Sequence, residues 1–283
     1  MKQLLILSGK GGTGKTTVAS AFIKLAKAKA YADCDVDAPN LHLVMNQKNP
    51  ILKDYYGMDK AVIDNSLCME CGLCKDLCKF DAITLDLLYK VDAFACEGCG
   101  VCEVFCPAKA ISLKPSIAGE LSLYTNDAVF STARLKMGSG TSGLLVTEVK
   151  KQMLSNSKDR DLVIIDGSPG IGCPVIASLS GVDMVLVVAE PSISGISDMK
   201  RIIKTASYFN TKTLVCINKY DTNIEITQNI IDFCKKTEIE YIGSIPFDIM
   251  VLEATNAGKS IVDIDSPAKV AVEKVYKEAI SFI

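Results

Sequence analysis

Residues 2–17 read Lys2-Gln3-Leu4-Leu5-Ile6-Leu7-Ser8-Gly9-Lys10-Gly11-Gly12-Thr13-Gly14-Lys15-Thr16-Thr17, and this stretch decides the fold. A short apolar run, 2–7, leads straight into a glycine-rich loop and reads as a buried strand. A helical stretch from Lys15 to Lys29 follows. Strand, Gly-x4-Gly-Lys-Thr and helix in that order form the P-loop pattern in its required context. Gly11, Gly12, Thr13 and Gly14 leave backbone N–H groups pointing into one concavity that binds phosphate oxygens. The helix N-terminus adds partial positive charge. Lys15 is expected to reach the β- and γ-phosphates and the Thr16 hydroxyl to bind Mg²⁺, with Thr17 in the same nucleotide-binding set.

Outward from this loop the chain alternates. Tyr31-Ala32-Asp33-Cys34-Asp35 reads as the end of a second strand. Apolar runs at 121–125, 129–131, 162–165, 184–188, 214–217 and 241–245 predict further strands. Helical patterns near 143–155, 197–208 and 224–236 separate the later ones. Ser266-Pro267 opens a closing helix to Ile283, with an N-cap serine and proline at the first helical position. Strands alternating with helices predict an α/β fold: a mostly parallel sheet with helices on both faces, of the P-loop NTPase class. The 162–170 stretch, LVIIDGSPG, is a hydrophobic strand ending in Asp166 and then a turn. This pattern matches a Walker B strand in which Asp166 holds Mg²⁺ through water, with 167–170 sensing the γ-phosphate.

Composition sets bounds. The 283 residues are 49% hydrophobic, enough for a substantial core, and the net charge of −2 points to neither nucleic acid nor an anionic membrane. The apolar run ahead of the glycine loop is shorter than a signal peptide needs. No stretch approaches the roughly 20 apolar residues of a spanning helix. The expectation is a cytoplasmic, reduced protein without membrane insertion, whose 12 cysteines serve metal binding rather than disulfides.

Eight of those cysteines fall in two runs: Cys68-x2-Cys71-x2-Cys74-x3-Cys78 and Cys96-x2-Cys99-x2-Cys102-x3-Cys106-Pro107. The surrounding sequences repeat at an offset of 28 residues, Cys68 to Cys96, and end in matching short apolar runs at 82–85 and 110–113. Structural zinc also uses four cysteines but prefers two C-x2-C pairs. The spacing resembles that of the bacterial two-cluster ferredoxins. In that pattern three cysteines of each run hold one [4Fe–4S] cluster and the fourth ligates the other cluster. The resemblance implies one cluster on Cys68, Cys71, Cys74 and Cys106, and a second on Cys96, Cys99, Cys102 and Cys78. Lys79 stands where the second run has Pro107. The segment 63–113 therefore reads as a ferredoxin domain inserted into a discontinuous ATPase domain of residues 1–62 and 114–283. Cys34, Cys216 and Cys234 are expected to be structural, and the lone His42 has no ligand pattern around it.

Lys10 is a second lysine within the glycine loop. With the motifs above it makes nearly the whole chain similar to the deviant P-loop ATPases of the MinD, ParA, Mrp and nitrogenase iron protein group. The resemblance implies a dimer, with itself or with a related ATPase, that encloses nucleotide between subunits while Lys10 reaches the partner's phosphates. It implies that Asp35 orients the attacking water and Asp33 lies near the metal, with Asp37 an alternative for either role. Asn218-Lys219-Tyr220-Asp221 reads literally as a guanine-recognition motif. In the resembled group, however, an asparagine at this strand end contacts adenine, and a Pro-x-Asp segment, here Pro246-Phe247-Asp248, flanks the base; ATP is favoured over GTP. Ser168-Pro169 departs from the group's proline pair. Cys173 stands where the nitrogenase iron protein holds a bridging cluster, but residues 107–172 lack the second cysteine such a cluster needs. Three functions are compatible with these motifs. The first couples ATP binding and hydrolysis to electron transfer through the two clusters, toward an unidentified redox protein. The others are iron–sulfur cluster delivery and redox-sensing spatial positioning.

Overall fold

The computed structural model describes residues 1–157 and 160–283. The first half of the chain contains β1 (Lys2–Leu7), α1 (Lys15–Leu25), β2 (Ala30–Asp33), α2 (Leu41–Val44), β3 (Ile51–Tyr56), β4 (Lys60–Ile63), α3 (Leu73–Leu77), β5 (Ile83–Leu85), β6 (Tyr89–Val91), α4 (Val101–Val104), β7 (Ile111–Lys114), β8 (Ile117–Tyr124) and β9 (Val129–Leu135). The second half contains α5 (Ser142–Ser155), β10 (Leu162–Asp166), α6 (Cys173–Leu179), β11 (Met184–Ala189), α7 (Ile193–Ser207), β12 (Lys212–Asn218), α8 (Ile224–Lys236), β13 (Glu240–Ile245), α9 (Ile249–Asn256) and α10 (Pro267–Ile280).

Nine strands form one sheet in the order β13-β12-β11-β1-β10-β2-β9-β8-β3. All pairings from β13 through β9 are parallel, and the last two, β9 with β8 and β8 with β3, are antiparallel. Successive side chains of a strand face opposite sides of the sheet. On β1, Leu5 and Leu7 join a core containing Val146 of α5, Val175 of α6, Met199 of α7 and Ile230 of α8. Leu4 and Ile6 join the opposite core, with Phe22 of α1 and Val272 of α10. The expected α/β P-loop fold, with helices on both faces of a mostly parallel sheet, is the one observed. β1 lies between β10 and β11, so chain connections diverge on either side of it; the P-loop opens at this switch point, where open α/β sheets bind ligands.

Several elements differ from expectation, and two of them show why. The first helix ends at Leu25, not at Lys29: Lys27 adopts φ 48°, and the Ala28 N–H reaches back to the Ile23 carbonyl at 2.9 Å. This is a Schellman stop, with lysine in the left-handed position where sequence reasoning looks for glycine. β3 was read as connection. Only Tyr55 of its residues is buried, so the strand lacks the apolar alternation that marks one.

β3 and β8 pair up to Tyr56 opposite Ile117, which brings the two ends of the intervening segment together. That segment does not add to the main sheet. β4 pairs with β7 and β5 with β6 in two small antiparallel sheets. Ala61, Ala82, Cys96 and Ile111 form a separate small core between them.

Candidate functional site

The P-loop runs from the end of β1 to α1, with Gly14 at φ 91°. A side chain at Gly14 would meet the Asn218 amide at 2.1 Å, so the close approach of β12 requires glycine here. The Lys15 Nζ lies 2.5 Å from Asp166 Oδ1, and the Thr16 hydroxyl donates to Asp166 Oδ2 at 2.6 Å. The side chains expected to hold phosphate and Mg²⁺ thus converge at the carboxyl end of β10. Thr16 and Asp166 supply the hydroxyl and carboxylate oxygens that suit a hard cation.

Asp33 is fully buried behind this pair. Its Oδ1 accepts from the Asp35 N–H at 3.0 Å, and its Oδ2 from the Asn40 and Leu41 N–H groups at 3.1 and 3.0 Å. It organises the 33–41 turn and so fixes Asp35 at the rim of the phosphate cavity. Burial, then the Asp166 charge, pushes Asp33 up to about 7 against the pull of Lys15. Burial also raises Asp35, with Lys15 opposing. Burial works against the Lys15 ammonium, yet Asp166 and then Asp33 outweigh it and hold its pKa above the ordinary lysine value. Asp37 is exposed, and its charge adds to the rise at Asp35.

Two contiguous cavities complete the cleft. One, of about 520 Å³, is lined by Gly11, Lys15, Thr16, Asp35 and Pro169 among others. The second, of about 320 Å³, is lined by Asn218, Lys219, Pro246, Asp248, Val251 and Leu252. Gly12, Gly14, Thr17 and Thr255 border both. The first has the groups of a phosphate site, the second the apolar walls of a base site. One oxygen in the second, Asp248 Oδ2, is buried without a partner, while Oδ1 caps α9 through the Met250 N–H at 2.9 Å. Sequence reasoning missed α9, and with it Val251, Leu252 and Thr255. The Asp248 N-cap was a usable signal for that helix.

The Asn218-Lys219 pair braces the loop. Asn218 Nδ2 donates to the Thr13 carbonyl at 2.8 Å and Lys219 Nζ to the Gly12 carbonyl at 2.9 Å. Asp221 Oδ1 accepts from the Phe247 N–H at 2.7 Å. Lys10 turns back on its own chain, to Ser192 Oγ at 3.1 Å and Glu190 at 3.5 Å. Glu190 also lies 3.8 Å from Lys219 and so ties the two lysines together, a role no local pattern announced. The 167–170 turn is pinned to the loop by the Gly167 N–H to the Ile6 carbonyl and the Gly170 N–H to the Ser8 carbonyl, at 2.9 and 3.0 Å.

The eight run cysteines surround two further cavities. One is lined by Cys68, Cys71, Cys74 and Cys106. The other is lined by Cys96, Cys99, Cys102 and Cys78, and each encloses only about 20 Å³. In each, three cysteines of one run meet the fourth of the other. Among the described residues no three His, Cys, Asp or Glu side chains converge tightly enough for a single ion. Four thiols lining one pocket, three from one run and one from the other, are soft donors of the kind that iron–sulfur clusters and zinc both take. Burial raises the Cys74 and Cys102 thiols above the ordinary cysteine value. Cys34, Cys216 and Cys234 are buried, and burial drives their thiols up to about 12, 12 and 11. Cys173 is exposed at the start of α6.

Fold and cleft together define a P-loop nucleotide-binding protein. Residues 4–261 match the CobQ/CobB/MinD/ParA nucleotide binding domain, and the chain belongs to that family. An uncharacterised protein of Methanocaldococcus jannaschii is 32% identical, over 99% of this chain and 97% of its own. The iron-sulfur cluster carrier protein of the same organism is 20% identical, over 98% of this chain and 83% of its own. The cell division ATPase MinD of Pyrococcus furiosus superposes with a TM-score of 0.61 at 19% identity, covering 100% of this chain and 99% of that one. Among the described residues no helix is long and apolar enough to cross a membrane.

Proposed function

We propose that this protein is an ATPase that couples ATP binding and hydrolysis to electron transfer through two [4Fe–4S] clusters held in its 63–113 segment. The observation that carries the reading is the crossed lining of the two cysteine cavities. The same chain supplies the Lys15, Thr16 and Asp166 constellation. Clusters bound there would supply one-electron chemistry. The eight cysteines, separated from the main sheet by their own small core, would hold them as a ferredoxin domain apart from the nucleotide.

On the nucleotide side, Lys15 would leave Asp166 for the phosphates, and Thr16 and Asp166 would hold Mg²⁺. Asp35, at the cavity rim, orients the attacking water. Catalysis is then positioning and charge neutralisation, as phosphoryl transfer requires. Asn218 and Asp221 are engaged with the loop and with Phe247, which favours adenine over guanine. Membership of the family supports a dimer across the nucleotide, for which Lys10 would exchange Glu190 for the partner's phosphate. The electron acceptor or donor is a separate redox protein. The apolar face of α10, with Ala268, Val272, Val275 and Ala279, packs into the core.

A second reading, delivery of clusters to client proteins, is favoured by the relative named as an iron-sulfur cluster carrier. The crossed four-cysteine sets favour retention instead. Anaerobic purification, iron analysis and EPR of the reduced protein with and without a non-hydrolysable ATP analogue test the first reading. About eight irons per chain and a nucleotide-dependent change in the cluster signals are expected. Far fewer irons, or loss of iron to an added apo-ferredoxin, would overturn it.

A further inference from the structure

The 28-residue repeat makes the two cysteine cavities comparable position by position. Cys68, Cys71 and Cys74 of one correspond to Cys96, Cys99 and Cys102 of the other, and Cys106 corresponds to Cys78. The linings obey the same relation: Ile63 in the first matches Val91 in the second, and Ile111 matches Ile83. The departures from this internal symmetry are therefore informative. Two of them are polar.

Tyr89 lines the first cavity, and the position equivalent to it in the second is Ala61. Tyr89 is only 7% exposed. Its hydroxyl stands over the turn between Cys71 and Cys74: a side chain at Gly72 would meet it at 3.1 Å. It is the one hydroxyl among the residues lining either cavity. Glu97 lines the second cavity, where the first has Met69. The Lys60 ammonium donates to the Cys96 carbonyl beside the same loop.

Resting on the cluster reading above, we propose that Tyr89 makes the two centres inequivalent. Its hydroxyl donates to sulfur in the cavity of Cys68, Cys71, Cys74 and Cys106, and this centre has the higher reduction potential. Hydrogen bonds to the sulfurs and local charge are the protein's means of setting cluster potentials. A donor stabilises the reduced, more negative state. The second cavity has no hydroxyl donor, and its carboxylate works in the opposite sense. Each centre takes up one electron, passing from the 2+ to the 1+ state, and the first electron enters the Tyr89 side. Glu97 also stands against the ATPase body, since a side chain at Gly140 would meet its carboxylate at 3.5 Å. The lower-potential centre is therefore the one next to the nucleotide-binding domain, and the higher-potential one faces away.

A dithionite titration of the whole protein, followed by EPR and compared among wild type, Tyr89→Phe and Glu97→Gln, tests this. Phenylalanine keeps the ring and removes only the hydroxyl. Two resolved midpoints are expected in the wild type. Tyr89→Phe lowers the upper one and leaves the lower, and Glu97→Gln raises the lower one; each narrows the gap. Unchanged midpoints in Tyr89→Phe, a shift in the lower midpoint only, or equal shifts in both would overturn the proposal. Iron content is read on the same samples. Fewer than about eight irons in the wild type would instead sink the cluster reading beneath it.

Discussion

At the scale of single residues the nucleotide site is a cluster of charges. Three carboxylates, Asp33, Asp35 and Asp166, surround the buried ammonium of Lys15. Replacing Lys15 with alanine removes the phosphate ligand and leaves Asp166 uncompensated in the interior. ATP turnover should fall by about 10²-fold or more, and stability by about 3–5 kcal/mol, read by phosphate release and denaturant melts. Asp33 carries the pH dependence. Its folded pKa, about 7, lies above its ordinary value of 3.8, so between these limits the native state binds the extra proton. Its contribution to stability is full below the unfolded value and is lost as pH rises toward 7. Denaturation midpoints of the nucleotide-free protein at pH 5 and pH 7.5 should show this decline, and Asp33→Asn should flatten it relative to wild type. An equal slope in both proteins would rule the assignment out. The loop residues Lys15 and Thr16 and the strand-end Asp166 were legible in sequence because a local spacing announces them. Glu190 and the brace from Lys219 to Gly12 were not, since they depend on β11 and β12 coming to lie beside β1.

At the scale of elements, strong patterns were legible and weak ones were not. β10, β11 and β12 are near-continuous apolar runs because the parallel sheet buries both their faces. β3, exposed on the sheet edge, has no such pattern, and α9 was hidden by reading Pro246-Phe247-Asp248 only as a base-flanking segment. One contact between elements no periodicity reveals. Lys150 of α5 is buried, and its ammonium bonds the Ser178 carbonyl at 2.7 Å and the Ala177 carbonyl at 3.4 Å, with Ser180 beyond. These are the last carbonyls of α6, which a cation caps favourably. Lys150→Met keeps much of the stem's packing and leaves those carbonyls unpaired. It should cost about 1–3 kcal/mol, measured by denaturant unfolding. A loss below a few tenths of a kcal/mol would mean that water replaces the ammonium.

At the scale of the whole molecule the cysteine-bearing segment and the nucleotide cleft are joined through packed elements. A side chain at Gly138 would meet the Phe94 ring at 3.1 Å, which places the loop before Cys96 on the loop before α5. At the head of α5, a side chain on Gly143 would meet Cys173 Cβ at 3.1 Å, the first residue of α6. Lys150, further along α5, bonds the C-terminal end of α6. α6 in turn begins a few residues after the 167–170 turn, which hydrogen-bonds to β1 and to Ser8 of the P-loop. On the proposed function, motion of that turn on γ-phosphate binding would reach Phe94 through α6, α5 and the 136–141 loop. Phe94 provides the test, because it is 74% exposed and its replacement leaves the core intact. Phe94→Ala should retain wild-type iron content and ATP turnover and lose most of the change that an ATP analogue produces in the cluster EPR signals. If the variant keeps the full nucleotide-dependent change, the signal travels another way. If the wild type itself shows none, the clusters and the ATPase site act independently, however closely they are packed.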